Sequence, residues 1–366
     1  MAVKRHRVPW PVMIGLATVI AAAVVLWVFW SGEPDSRAGP LPALGAPIER
    51  TTVSGLSAGA YMAGQFQVAH SDIVTGAGLV AGGPYGCAES EFARLWPIWT
   101  TAVPHNLNLA TNACAGDSLS VMGKPDVDTL VRRTRELAED GEIAPVSGLS
   151  DDRLYLFHAR DDETVARSVV EKAAEYYRQV GVPEENIRFV RFDRGAHAFI
   201  TQDAGADCGT AGSPFLNDCD YDQAGAILRH LFPEAKQPGD VATGAFRVFN
   251  QPRYAPDGND HSLAREGVVY IPPSCRERAG CAVHVVFHGC EQNRARVGEA
   301  FIRGSGYARW ADANRLIVLF PQLRRSAVNP RSCWDWWGYT GLNYRQRSAP
   351  QIATVRAMLA RLAETQ

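Results

Sequence analysis

Apolar positions along the chain fall into three arrangements. Residues 10–30 form one almost unbroken apolar run, interrupted only by Pro11, Gly15 and Thr18. A run of that length can cross a bilayer as a helix. Further on, short runs bounded by turn residues read as strands, over residues 49–53, 73–83, 153–157, 186–192, 268–271, 284–287 and 316–320. Elsewhere apolar residues recur at helical spacing. Small residues over 58–70 leave the first strand as a helix. Val127, Leu130, Val131 and Leu137 mark a helix over 126–140. Val169, Ala173, Tyr176 and Tyr177 mark one over 165–180, residues 221–231 form another, and Ile352, Val355, Leu359 and Leu362 align over 350–362. Strands alternating with helices predict an α/β fold with a central, mostly parallel sheet flanked by helices. Residues 87–114 read as loop or short helix near a site mouth. Residues 237–246 read as a weak boundary that does not divide the domain.

Charge and cysteine content narrow the setting. The 366 residues carry 37 basic and 39 acidic side chains, and beyond the N-terminus no basic block interleaves with aromatics, which argues against nucleic acid as a partner. Lys4, Arg5 and Arg7 precede the apolar run, so the positive-inside bias keeps residues 1–9 in the cytoplasm and sends the rest outward. Residues 10–30 are thus expected to be a transmembrane anchor. The alternative is a signal peptide, with secretion after cleavage, but the run is long for one and lacks an A-x-A site. Residues 31–47, rich in Pro, Gly and Ala, read as a tether, and residues 48–366 as a single catalytic domain on the periplasmic or external face. All eight cysteines, Cys87, Cys114, Cys208, Cys219, Cys275, Cys281, Cys290 and Cys333, follow the apolar run. Their even number fits disulfides in an oxidising compartment. Cys208 and Cys219 flank a polar loop, and Cys275 and Cys281 close a turn. No C-x-x-C or His-Cys cluster supports zinc.

The chemistry centres on Gly55-Leu56-Ser57-Ala58-Gly59, a G-x-S-x-G pentapeptide between a strand and a helix. Alone it could be an ordinary turn of small residues. In that context it is a nucleophile elbow, which projects the serine hydroxyl beside the free N–H groups of a helix start. A serine hydroxyl needs a base, and the base needs an orienting group. His197 follows a strand in a Gly-Ala-His loop, a setting that His70, His105, His158 and His230 lack. The carboxylate is Asp161 or Asp162, and Asp162 is preferred because Asp162-Glu-Thr-Val165 places it between a strand and a helix start. No metal or organic cofactor is needed for this chemistry.

The order Ser57, Asp162, His197 is that of the α/β-hydrolase triad. The oxyanion loop that ordinarily precedes the serine is missing there, whereas His288-Gly-Cys290 ends an apolar strand far downstream. A circularly permuted α/β-hydrolase accounts for both facts, with the old junction opened between Gln366 and Ile48. The oxyanion hole is then the backbone N–H groups of Ala58 and Cys290.

Taken together, G-L-S-A-G at 55–59, the Asp-Glu-Thr-Val and Gly-Ala-His-Ala-Phe segments, F-H-G-C at 287–290 and C-W-D-W-W at 333–337 resemble the short-chain-length polyhydroxyalkanoate depolymerases with the permuted, type 2 catalytic domain. The resemblance spans about residues 48–362. It implies hydrolysis of poly(3-hydroxybutyrate) or its oligomers through an acyl-serine. It also implies that the Cys290 amide meets the oxyanion and that Trp334 and Trp336 line a substrate crevice. A Cys290–Cys333 disulfide is expected to fix both loops. A feruloyl, acetyl or aryl esterase on the same scaffold is the first alternative, and an inactive tethered binding protein the second. No feature of the sequence fixes an oligomeric state.

Overall fold

The computed structural model describes residues 38–116, 126–256 and 261–365. The expected membrane segment at 10–30 lies outside the described residues, and among those described no helix is long and apolar enough to cross a membrane. In chain order the main elements are β1 (Thr51–Leu56), α1 (Ala58–Ala69), β2 (Val74–Val80), α2 (Trp99–Asn112), α3 (Val127–Glu139), β3 (Arg153–Ala159), α4 (Arg167–Val180) and β4 (Ile187–Phe192). There follow the short strands β5 (Phe199–Thr201), β6 (Ala206–Asp207) and β7 (Leu216–Asp218), then α5 (Gln223–Leu231), β8 (Ala245–Asn250), β9 (Glu266–Ile271), β10 (Ala282–Phe287), α6 (Tyr307–Asn314), β11 (Leu316–Phe320) and α7 (Pro350–Ala363).

Eight strands form one sheet in the order β4-β3-β2-β1-β10-β11-β9-β8, and β5-β7-β6 form a small second sheet. From β4 to β11 every pairing is parallel, while β9 and β8 add an antiparallel margin. The central strands β1, β10 and β11 are buried at every position. Full burial explains the continuous apolar run of β11, because a parallel sheet covered on both faces has no wet side to alternate with, while in β1 and β10 the buried Thr52 and Ser54 hydroxyls are matched by the His284 ring. A Cβ on Gly78 would meet Ile227 of α5, while one on Gly64 of α1 would meet Leu79, so α1 and α5 cover opposite faces of β2.

Two stretches differ from the sequence expectation. Residues 87–114 hold the 14-residue helix α2, which continues through Pro104. The end of the expected tether is packed: Leu41, Leu44 and Ala46 are buried, and the amides of Leu44 and Ala46 donate to the Leu362 carbonyl at the end of α7, at 3.2 and 3.0 Å. Apolar side chains with a helix end to cap bind this stretch to the domain. The opening of the domain and its last helix are therefore in direct contact. Four disulfides join Cys87 to Cys114, Cys208 to Cys219, Cys275 to Cys281 and Cys290 to Cys333.

Candidate active site

The turn after β1 holds Ser57 at φ 57° and ψ −122°. A non-glycine residue rarely occupies that region, at a cost of about 1–3 kcal/mol. The Ser57 N–H donates to the Val80 carbonyl of β2 at 2.9 Å, and the Ser57 carbonyl accepts from Ala60 and Tyr61 at 2.8 and 3.1 Å. The serine is therefore held by a strand behind it and a helix ahead. Only glycine fits on either side. A Cβ on Gly55 would lie 2.2 Å from the Gly59 carbonyl oxygen, and one on Gly59 would lie 2.6 Å from that of His288. The elbow thus presses directly against the loop after β10.

That contact follows from strand register. β1 and β10 are parallel neighbours, with Gly55 opposite Phe287, so Ser57 and His288-Gly289-Cys290 leave the sheet at the same edge. The Leu323 N–H donates to His288 Nε2 at 3.2 Å, which places the ring proton on Nδ1 to donate to the Gly289 carbonyl at 2.8 Å. Burial pushes the His288 pKa down to about 4, keeping the ring neutral. Gly289 C=O and Cys290 N–H belong to one planar peptide unit, so His288 orients the Cys290 amide. The Cys290–Cys333 bridge, with Cα atoms 4.2 Å apart, ties this loop to the tryptophan segment.

The same sheet edge supplies the other groups. Asp162 lies just beyond β3, and His197 beyond β4. His197 Nδ1 donates to Asp162 Oδ2 at 2.8 Å, and both side chains are buried. The other Asp162 oxygen accepts from the amides of Thr164 and Val165 at 2.8 and 2.9 Å. Burial alone would raise the Asp162 pKa. The His197 hydrogen bond, its charge and the two amides outweigh that and hold the carboxyl below its ordinary range. Asp161 instead faces solvent beside Arg160. The carboxylate on the histidine is Asp162.

The tryptophan segment is shaped by Asp335, a buried residue that the sequence reading passed over. Its carboxylate accepts from the backbone amides of Trp337, Gly338, Tyr339 and Thr340 and from the Thr340 hydroxyl. The loop wraps round this anion and sends its rings different ways. Trp334, expected to line a crevice, is instead fully buried, edge-on to Phe287 at 4.9 Å and beside His288. It offers a substrate no surface and fills the core under the oxyanion loop. Trp336 stacks on Tyr61, one turn along α1 from Ser57, with centroids 3.9 Å apart and planes at 8°. Trp337 meets Trp336 edge-on at 6.0 Å. From α2, Asn106 Nδ2 donates to the Trp337 carbonyl and Trp99 Nε1 to that of Gly338. Tyr61 does not stand out in the sequence from core aromatics, whereas Trp337 belongs to the C-W-D-W-W run at 333–337.

A strained serine at a helix start, a histidine held by a buried carboxylate and a loop of oriented amides on one sheet edge form the apparatus of acyl transfer. Comparison with known proteins bears on its use. No family model matches the chain. It is 39% identical over 327 residues to a poly(3-hydroxybutyrate) depolymerase of Delftia acidovorans, covering 88% of this chain and 61% of that longer protein. Two solved structures superpose with TM-scores of 0.76 at 28% identity, covering 88% of this chain and 98% of theirs. One is the PHB depolymerase of Penicillium funiculosum, and the other a serine-to-alanine PHB depolymerase complexed with an R3HB trimer. A polyhydroxybutyrate depolymerase of Talaromyces funiculosus is 30% identical over 351 residues, 94% of its length, and on that match the chain belongs to the polyhydroxybutyrate depolymerase family.

Proposed function

We propose that the chain is a serine esterase that hydrolyses poly(3-hydroxybutyrate), or short 3-hydroxybutyrate oligomers, through an acyl-serine. His197 Nε2 takes the Ser57 proton as Oγ attacks an ester carbonyl. Asp162 holds the ring through Nδ1 and stabilises its cation. The amides of Ala58 and Cys290 meet the tetrahedral oxyanion, where losing one donor costs about a hundred- to thousandfold in rate. As the intermediate collapses, the C–O bond of the ester breaks and His197 protonates the departing 3-hydroxyl oxygen. Water then attacks the acyl-enzyme by the same route, releasing the acid and restoring Ser57. Trp336 and Trp337, rather than Trp334, are the aromatic wall for the methyl-branched backbone of the polyester.

The observation that carries this reading is the 2.8 Å bond between His197 and Asp162 at the edge where the Ser57 elbow opens. The R3HB trimer bound by a structural neighbour supports the substrate class. The permuted order is favoured by two features. The serine strand comes first in the domain, beside a strand from its last third, and the opening segment is hydrogen-bonded to the last helix. Residues 10–30 are proposed as an anchor that holds the domain at the periplasmic or external face. Fractionation of cells expressing the full chain tests this, since recovery only in the medium favours cleavage and secretion. The decisive experiment is product analysis after incubation with amorphous poly(3-hydroxybutyrate). Wild type should release 3-hydroxybutyrate or its short oligomers and Ser57→Ala should not; equal background release by both removes the assignment.

A further inference from the structure

We infer that Gln292 is a positioning residue that locks the oxyanion loop and the base loop to one another, an inference that rests on the esterase reading above. The side chain is buried. Its Oε1 accepts the Gly289 N–H at 2.8 Å. Its Nε2 donates to the Phe215 carbonyl at 2.7 Å and to that of Pro214 at 3.3 Å. One planar amide therefore spans segments 77 residues apart in sequence.

Each end of that amide reaches a different half of the catalytic apparatus. Gly289 immediately precedes Cys290. Its C=O is held by His288 and its N–H by Gln292, so both peptide units flanking Gly289 are fixed and the Cys290 N–H has one orientation. At the other end, the Phe215 carbonyl also accepts the Phe199 N–H at 2.9 Å. Phe199 opens β5 directly after the His197-Ala198 pair and is in register with Leu216 of β7. Moving Gln292 moves the acceptor on which the strand after His197 is hung. A primary amide suits this place because it is an acceptor at one end and a donor at the other. A carboxylate would turn an oxygen toward the Phe215 carbonyl. A hydrocarbon would leave the Gly289 N–H and part of the Phe215 carbonyl unsatisfied.

The test is Gln292→Met, which keeps side-chain length and removes all three hydrogen bonds. Turnover of a soluble p-nitrophenyl ester and of the 3-hydroxybutyrate trimer is measured per active serine, counted by fluorophosphonate titration, so that unfolded protein drops out. A donor displaced by about 1 Å can cost on the order of a hundredfold. The expected result is kcat lower by about ten- to hundredfold with KM within about twofold, since the interaction acts in the transition state. Affinity for a trifluoromethyl ketone, whose hemiketal oxygen occupies the oxyanion site, should fall by the same factor. A purely structural role would leave both quantities unchanged per titrated serine. Wild-type kcat and ketone affinity in the variant would overturn the inference. Should the variant fail to fold, amide exchange in the wild type decides: Gly289 is expected to be strongly protected, and exchange at the free rate rejects the bond. A wild type inactive on the trimer but active on the p-nitrophenyl ester counts against the substrate reading alone and leaves the Gln292 comparison standing.

Discussion

Ser54 Oγ and His284 Nε2 lie 2.8 Å apart in the seam between β1 and β10, three residues before the nucleophile. The other ring nitrogen meets Thr52 Oγ1 at 2.8 Å, and Ser54 Oγ also reaches the Tyr307 hydroxyl at 2.7 Å. With the ring closed off from water, burial pushes the His284 pKa down to about 3. His70 and His288 are each lowered to about 4, mainly by burial. Below about pH 6.5 the unfolded chain gains protons that the folded one refuses, so stability falls with pH until the folded values are reached. Asp152 works the other way, with a folded pKa of about 7. Between pH 6.5 and 4 these four groups amount to three protons against one, a loss of about 2–3 kcal/mol per pH unit. Urea midpoints at pH 7, 6 and 5 check this, and a midpoint that does not move rejects it.

Asp152 offers a cleaner test of the same linkage. Burial is the main cause of its raised pKa, against a hydrogen bond from Gln67 Nε2 at 2.7 Å. The neutral carboxyl's stabilisation is full below the unfolded value near 4 and is lost as pH rises through about 7. Asparagine keeps an acceptor for Gln67 and cannot ionise. Asp152→Asn is expected to be more stable than wild type at pH 8, by something on the order of 2–4 kcal/mol, with the gap closing toward pH 4. A constant difference across pH would mean that the carboxyl does not titrate between those limits.

The two neighbouring acids are separable by kinetics. Asp162→Asn leaves an oxygen for the backbone amides but offers an N–H where His197 needs an acceptor, so kcat should fall by about 10⁴. Asp161→Asn, altering an exposed side chain paired with Arg160, should stay within about threefold of wild type. Reversed effects would show that the histidine turns to the other carboxylate in solution.

Trp334 and Trp336 should also part company. Trp334→Ala empties a fully buried site and is expected to cost about 3–5 kcal/mol in urea unfolding. Trp336→Ala removes the ring stacked on Tyr61, and should raise KM for 3-hydroxybutyrate oligomers more than for a small activated ester. A Trp334→Ala protein of normal stability with raised KM would reverse the roles.

What could be read from the chain was what local chemistry dictates. The elbow is visible because a strand, G-x-S-x-G and a helix leave few backbone choices, and β11 because burial on both faces makes it continuously apolar. β8 is missed, with only its first two residues inside the weak boundary at 237–246, because it lies at the sheet margin, with Arg247 and Val248 exposed, and so lacks that signature. The second sheet was invisible because strands of two or three residues have no period to detect. The direction of Trp334 depends on the five donors gathered by Asp335, and the role of Gln292 on carbonyls far away in sequence. Those are tertiary facts, and composition pointed the wrong way for Trp334 because aromatics in a polar loop look like a binding surface.

The seam between β1 and β10 also has a consequence in time. A ribosome adding about 5–20 residues per second needs roughly 10–50 seconds to travel from residue 51 to residue 282. Throughout that interval the serine strand can pair with β2 but has nothing on its other flank, an open margin in the buried middle of the sheet. The nascent domain must therefore keep its future centre from sticking to other chains until the last third of its own sequence is made, and its yield should respond to translation speed and chaperone supply.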